Sequence, residues 1–546
     1  RILRSSFLLT LCPTYKALSY SSRGLLTIRL LLTLTIELEV IYIYYIVSRG
    51  FHYKLRLCYE HEMSYNGNSK NPFEILDKAP LSWYHGKNML VAAMGTFTDG
   101  YDLSALSPLL GVVLATFGIN ANSHEGVFWA TWLNALPILG FFVGAPIFGY
   151  FANKGRKRFY GIDVALMSLG AGLQFFAQNL PELAAFRFIM GIGLGADYVL
   201  SPMIIAEHSN ARDRGRLMGI GFGGFWVLGS LAATLLILAL QPFVSPSGPL
   251  TPDLFWRVVL ALGALPPLLV VYARRKVPET PRYLATIVGD KEAFKKIIKE
   301  AAKVEVQDVE VKPDNRSYGE LIRAYLPLML VGASLWYLFD LPAYGQGFFV
   351  YYISNILHFG NAALLSFIGI GFTYVGALIF WLVQPRIGSK WMETIGFAGM
   401  AASFFAFAAL MATGSFAAAS SASIALGVVM FGLAKTFGQI GPGSIVAVGA
   451  HGVELMPTKI RGIGHAVNVI GGRLGVLTTT FVLPGLLAGN NPVAFVIMGA
   501  VSALGAVITA LFVPETANKG LETITGEVRQ LVVVQEEREQ GRSRNE

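Results

Sequence analysis

Four aspartates interrupt otherwise apolar stretches of this 546-residue chain: Asp99, Asp102, Asp163 and Asp197. A fifth, Asp340, lies between Trp336 and Tyr344 at four-residue spacing, so the three side chains share one face of a helix. Two cations, Lys435 and Arg473, are embedded in the same way. An ionisable group at the centre of an apolar span costs about 2.5–3.5 kcal/mol on insertion scales, so such residues normally face a polar cavity and handle protons, ions or substrate. The chemistry implied is therefore that of a solute pathway.

Each of these residues has two readings. Asp99 and Asp102 lie three apart, as proton carriers at a cavity mouth or as a helix-start pair reaching headgroups. Asp197 stands ten residues before Glu207, about 15 Å along a helix, which places it near the bilayer midplane. It is read as a proton carrier, with a structural pair to a basic residue of a neighbouring helix as the alternative. Asp163, nearer a helix end, is read the same way. Tyr198 either donates a hydrogen bond to substrate or bonds backbone. Trp336, Asp340 and Tyr344 are read as a substrate wall, the alternative being aromatic packing. Lys435 and Arg473 either bind an anionic substrate or neutralise Asp197 or Asp340.

Catalytic alternatives find no support. HExxH, Walker and Cys/His metal spacings do not occur, so no cofactor or metal is expected, and an enzyme is not. The run Gly219-Ile220-Gly221-Phe222-Gly223-Gly224 matches G-x-G-x-x-G but lies inside an apolar span with no preceding strand. Close packing of helices through small residues explains it better.

The elements that must position these residues follow from composition. Hydrophobic residues make up 54% of the chain and charged residues 14%, and mean hydropathy is +0.54. Soluble proteins carry about 25% charged residues, so a soluble enzyme is excluded. Residues 1–62 account for +4 of the net charge of +9, and most of the remaining basic residues sit in short loops without base-stacking aromatics, which argues against a nucleic-acid partner. Twelve segments approach the roughly 20 apolar residues that cross a bilayer. They are 89–115, 128–152, 159–178, 183–206, 216–240, 255–273, 324–353, 361–384, 391–412, 420–449, 462–487 and 493–514.

The loops after odd-numbered spans hold no Lys or Arg, whereas the alternate loops carry Lys154, Arg156, Lys157 and Arg158, then Arg212, Arg214 and Arg216, and later Arg386, Lys390, Lys459 and Arg461. Positive charge stays in the cytoplasm, so both termini are expected there, in a plasma-membrane protein able to act as a monomer. Residues 1–62 hold both cysteines, Cys12 and Cys58, and precede the first methionine, Met63. They are read as a mis-assigned, non-conserved leader. A polar segment (63–87), a six-helix half (88–273), a central loop (274–323), a second half (324–514) and a tail (515–546) follow. Within the central loop, Asp290–Val304 alternates Lys and Glu as a surface amphipathic helix does.

An internal repeat supports the halves. Glu207 precedes Arg214-Gly215 by seven residues, and Glu454 precedes Arg461-Gly462 by seven. Val277-Pro278-Glu279-Thr280 and Val513-Pro514-Glu515-Thr516 end the two halves alike. The fold class is thus an all-α membrane protein of twelve transmembrane helices in two pseudo-symmetric six-helix halves. Arg156, Glu207, Arg214, Glu454 and Arg461 are read as a cytoplasmic gate that locks the halves in one state. The plainer alternative is solvation of the loops.

Several stretches resemble the major facilitator superfamily. Gly149-Tyr150-Phe151-Ala152-Asn153-Lys154-Gly155-Arg156-Lys157-Arg158 is similar to its loop between spans 2 and 3, with Asn153 in place of an Asp and one residue fewer before Gly155. Pro278-Glu279-Thr280 and Pro514-Glu515-Thr516 resemble the signatures of its sugar-porter relatives. Phe97-Thr98-Asp99-Gly100-Tyr101-Asp102, Asp163, Asp197-Tyr198 and the Trp336, Asp340, Tyr344 spacing resemble its proton–phosphate symporters, which also carry a cation near Arg473. That resemblance implies proton-coupled symport of inorganic phosphate or another small anion. Two positions depart from it: Phe225 stands where the symporters have a Gln, and Gly443 where they have an Asn. A sugar or carboxylic acid is the alternative cargo, and a non-transporting nutrient sensor the alternative class.

Overall fold

The computed structural model describes residues 73–121, 123–303, 313–416, 420–488 and 492–527. The leader reading of residues 1–62 and the end of the tail lie outside them. In hydrocarbon every backbone N–H and C=O must be satisfied within its own segment, so apolar runs of this length become helices. Among the described residues eleven helices are long and apolar enough to cross a membrane. The twelfth is α1, Trp83–Thr116, whose 34 residues exceed the necessary length but include Asp99, Asp102 and several hydroxyl side chains.

The others are α2 (His124–Ala152), α3 (Arg156–Phe176), α4 (Leu180–His208) and α5 (Arg214–Phe243). Next comes α6, in two segments, Pro252–Leu262 and Leu265–Lys276. The second half holds α7 (Tyr318–Phe348), α8 (Ala362–Ile387), α9 (Ser389–Ala412), α10 (Ser421–Ile440), α11 (Arg461–Ala488) and α12 (Val493–Phe512). Side-chain oxygens of Ser123, Asn179, Thr251, Ser317, Asn361 and Ser420 accept hydrogen bonds from the first turns of α2, α4, α6, α7, α8 and α10.

Two boundaries change the site. Because α1 starts at Trp83 and not at 89, Asp99 and Asp102 lie in its middle, fully buried, and not at a cavity mouth. The span expected over 420–449 ends at Ile440, because Pro442 has no N–H to donate and disfavours helix in the residue before it. Only the short turns Pro442–Ile445 and Ala450–Glu454 follow.

The sequence repeat proves to be a repeated cap. Gly155 and Gly388, both at positive φ (136° and 93°), turn the chain into α3 and α9, a conformation L side chains rarely adopt. The Glu279 carboxylate accepts from the Arg156 and Lys157 N–H groups at 3.2 Å each. The Glu515 carboxylate accepts from those of Ser389 and Lys390 at 2.8 and 3.2 Å. Each Pro-Glu-Thr thus fastens the end of its half to the helix start opened by its glycine. The central helix Lys291–Ala302 buries Phe294 and Ile298 against Phe73, Ala79 and Ala285, as its alternation predicts.

Small residues let helices meet backbone to backbone. A Cβ on Gly191 of α4 would lie 2.0 Å from the Pro137 carbonyl oxygen of α2. Gly191→Ala should therefore cost about 1–3 kcal/mol by overpacking. Thermal unfolding in detergent would record this as a lowered midpoint, and an unchanged midpoint would mean that α2 and α4 separate freely. The Gly219–Gly224 run forms a π-helical turn at the start of α5. There Gly219 and Gly224 meet the rings of Phe380 and Trp381, a packing role and not a nucleotide loop.

Candidate functional site

A cavity of about 140 Å³ lies between the halves, lined from α1, α4 and α5 on one side and α7 to α11 on the other. That is roughly ten times the 10–15 Å³ a single water needs. Tyr198, Trp336, Asp340, Tyr344, Lys435 and Arg473 all line it, so the structure brings together the six residues read as substrate-binding. Asp99, Asp102, Asp163 and Asp197 are not among the residues that line it.

At its floor Arg473 of α11 donates to Asp340 Oδ2 and to the Tyr344 hydroxyl, each at 3.0 Å. Its guanidinium lies over the rings of Phe141 and Tyr198, 4.3 and 4.5 Å from their centroids. Arg473 is thus paired with Asp340 and not with Asp197. Since the Tyr344 oxygen accepts from Arg473, its own proton is free for an incoming oxygen atom. Tyr198 donates to Asp99 Oδ2, which corrects its alternative reading as a backbone-bonded tyrosine. Asp99, Tyr198, Arg473 and Asp340 thereby form a chain from one half to the other.

Asp102 faces elsewhere. It presses on Gly263 at the break in α6, and neither carboxylate oxygen has a hydrogen-bond partner among the described residues. Asp197 and Asp163 converge on Arg274, whose Nη1 lies 2.6 and 2.5 Å from them. The alternative reading of Asp197, a pair with a neighbouring helix, is thus what the geometry records. Two carboxylates share one guanidinium, and Asp197 Oδ2 has no partner among the described residues. Neutrality of this buried cluster requires one added proton. The sequence reading assigned Arg274 to the central loop, but α6 runs to Lys276 and buries it.

The gate residues meet as crossed pairs. Glu207 of the first half accepts from Arg461 of the second at 2.5 Å, and from Arg156 at 3.0 Å. Glu454 of the second half accepts from Arg214 of the first at 2.8 Å. Arg156 also donates to the Thr458 carbonyl at 2.8 Å, and Asn153 Oδ1 accepts from Gly462 N–H at 3.0 Å. These contacts join the two halves at their basic-loop ends. Outside the spans, Asp77 is pushed up to about 6 by burial, against the opposing pull of Arg282, to which it is bonded at 2.6 Å.

Residues 88–527 match the family described as "Sugar (and other) transporter". The chain belongs to that transporter family. Among curated relatives, it is 29% identical to the probable inorganic phosphate transporter 1-10 of Oryza sativa subsp. japonica over 506 residues, 82% of this chain and 90% of the relative. It is 27% identical to the probable inorganic phosphate transporter 1-7 of Arabidopsis thaliana, covering 85% and 96%. Its fold is that of the proton:xylose symporter XylE bound to 6-bromo-6-deoxy-D-glucose, with a TM-score of 0.68, 22% identity and coverage of 81% and 99%. That structure is described as a major facilitator superfamily protein.

In this transporter Gly443 faces the cavity without a side chain, and Gly223 and Trp226, not Phe225, present α5 to it. Sequence reasoning missed two buried ionisable residues, of which His465 lies against the site. His465 of α11 lies within hydrogen-bonding distance, 2.7 Å, of the Tyr198 carbonyl and stacks on Trp336. In the second half, Glu393 is bonded to His451 at 2.9 Å and accepts from Thr509 at 2.8 Å. A histidine or glutamate inside an apolar span was the available signal in each case.

Proposed function

We propose that this transporter carries a small anion, inorganic phosphate foremost, together with protons, and is not an enzyme. The observation that carries the proposal is the cavity itself. Lys435, Arg473 and the Tyr344 hydroxyl line it, and the buried Asp99 is tied to it through Tyr198. Solute would bind between Tyr198, Trp336, Asp340, Tyr344, Lys435 and Arg473. Protons would load on Asp99, Asp102, Asp163 and Asp197, the buried carboxylates of the first half's spans. The names of the plant relatives favour phosphate, and the family description leaves sugars as the second reading.

The halves would rock about this site, with the crossed Glu–Arg pairs closing one face. Basic loops on that face support a cytoplasmic location for it, with both termini on the same side of the plasma membrane. Each positive charge moved inward would gain about 2.3 kcal/mol per 100 mV. Exchange of labelled phosphate in proteoliposomes tests the cargo. Unlabelled phosphate should compete and xylose should not. Uptake of xylose without any uptake of phosphate would overturn the anion reading.

A further inference from the structure

Lys435 is the ionisable residue of the cavity wall that the network at the floor leaves out. Its stem lies along α8 at Gly369, where a Cβ would come within 3.0 Å of both Cδ and Cε. Its ammonium stands 5.3 Å from the centroid of the Phe431 ring. Among the described residues no carboxylate or hydrogen-bond acceptor pairs with it. Arg473, by contrast, is committed to Asp340 and Tyr344.

The rest of that wall is neutral. Ser366 and Thr373 of α8, Gln346 of α7 and Gln439 of α10 share it. The Thr373 hydroxyl donates to the Gly369 carbonyl at 3.0 Å, and the Gln439 amide donates to Ser444 Oγ at 3.2 Å. With Asp340 and Arg473 cancelling each other, the residues that line the cavity carry one further charge, that of Lys435. A cation–π contact supplies only about 0.5–2 kcal/mol, so the Phe431 ring does not take the place of a counter-charge.

We propose that Lys435 is the residue that recognises the anion's charge, while Arg473 remains a structural partner of Asp340. This rests on the reading of the cargo as an anion and adds where its charge sits. A lysine is a compact point charge with three rotatable donors, suited to one oxygen-rich anion without bidentate geometry. Gly443 lies beyond the end of α10, in the turn Pro442–Ile445, and offers no side chain. The anion is therefore held at Lys435 within α10 and not at Gly443. A monoanion neutralises this wall, and a dianion requires one accompanying proton.

The test uses the full chain purified in detergent and follows its melting temperature against phosphate, sulfate and xylose. Wild-type protein is compared with Lys435→Gln and Lys435→Arg. Phosphate should raise the wild-type midpoint. Half-saturation should weaken at least tenfold in Lys435→Gln and recover towards wild type in Lys435→Arg. Without ligand, Lys435→Gln should melt no lower than wild type, because it removes an uncompensated charge. A lower ligand-free midpoint, or failure to fold, would reveal a protein partner for Lys435 and overturn the proposal. Equal phosphate binding in Lys435→Gln would overturn it and leave the anion reading standing. Stabilisation of wild type by xylose and by neither anion would overturn both.

Discussion

Glu207→Gln should spring the closed face open. The carboxylate is fully buried and compensates two guanidinium groups, Arg156 in its own half and Arg461 in the other. It also accepts the Thr280 hydroxyl proton. Removing one partner of a buried ion pair costs about 3–5 kcal/mol, because the remaining charge is stranded. That cost falls on the closed state, since opening the face lets water reach both arginines. At about 1.4 kcal/mol per tenfold, the closed-to-open ratio should fall by roughly a hundred- to several-thousand-fold. The measurement is thiol labelling of a cysteine at cavity-lining Ala447, in a chain with Cys12 and Cys58 replaced, by an impermeant reagent supplied from the basic-loop face. Labelling should accelerate strongly in Glu207→Gln. An unchanged rate would mean that the pairs do not hold the halves together.

Asp197→Asn should separate transport from its driving force. Asp163 remains 2.5 Å from Arg274 in this variant, so the buried guanidinium keeps a carboxylate and the fold should survive. The cluster then has one carboxylate per guanidinium and no longer needs the extra proton. Gradient-driven accumulation of phosphate should be lost, with equilibrative exchange retained. Undiminished accumulation would remove Asp197 from the proton route. Loss of exchange as well would show that the residue serves structure alone.

Much of the architecture was legible in the chain. Hydropathy marks the helices because lipid admits few other backbone solutions. The spacing from Glu207 to Arg214 and from Glu454 to Arg461 announced two halves, and the structure adds that each glutamate takes its partner from the opposite repeat. The cavity wall was legible for a similar reason: Trp336, Asp340 and Tyr344 lie at helical spacing, and a polar face within lipid must turn inward.

What was not legible depends on helix phase and distant neighbours. Arg274, Arg275 and Lys276 form one basic run, yet only Arg274 points inward, because α6 carries it towards Asp163 of α3 and Asp197 of α4. No local pattern links residues so far apart. The depth of Asp99 was misjudged because Trp83–Lys87 looks like a polar approach but is helical, joined to the span by a capping bond at Ser82. The end of α10 at Ile440 was signalled by Gly441-Pro442, and apolar composition beyond it obscured the break.

The central claim is that anion and proton move together through the cavity between the halves. It is tested most directly by adding phosphate outside proteoliposomes that hold a trapped pH dye, with no pH difference imposed and the voltage clamped. Phosphate entry should be accompanied by acidification of the lumen in wild type and by much less in Asp197→Asn, with phosphate counted in parallel. Phosphate entry at full rate with equal lumenal pH changes in both proteins would contradict the account.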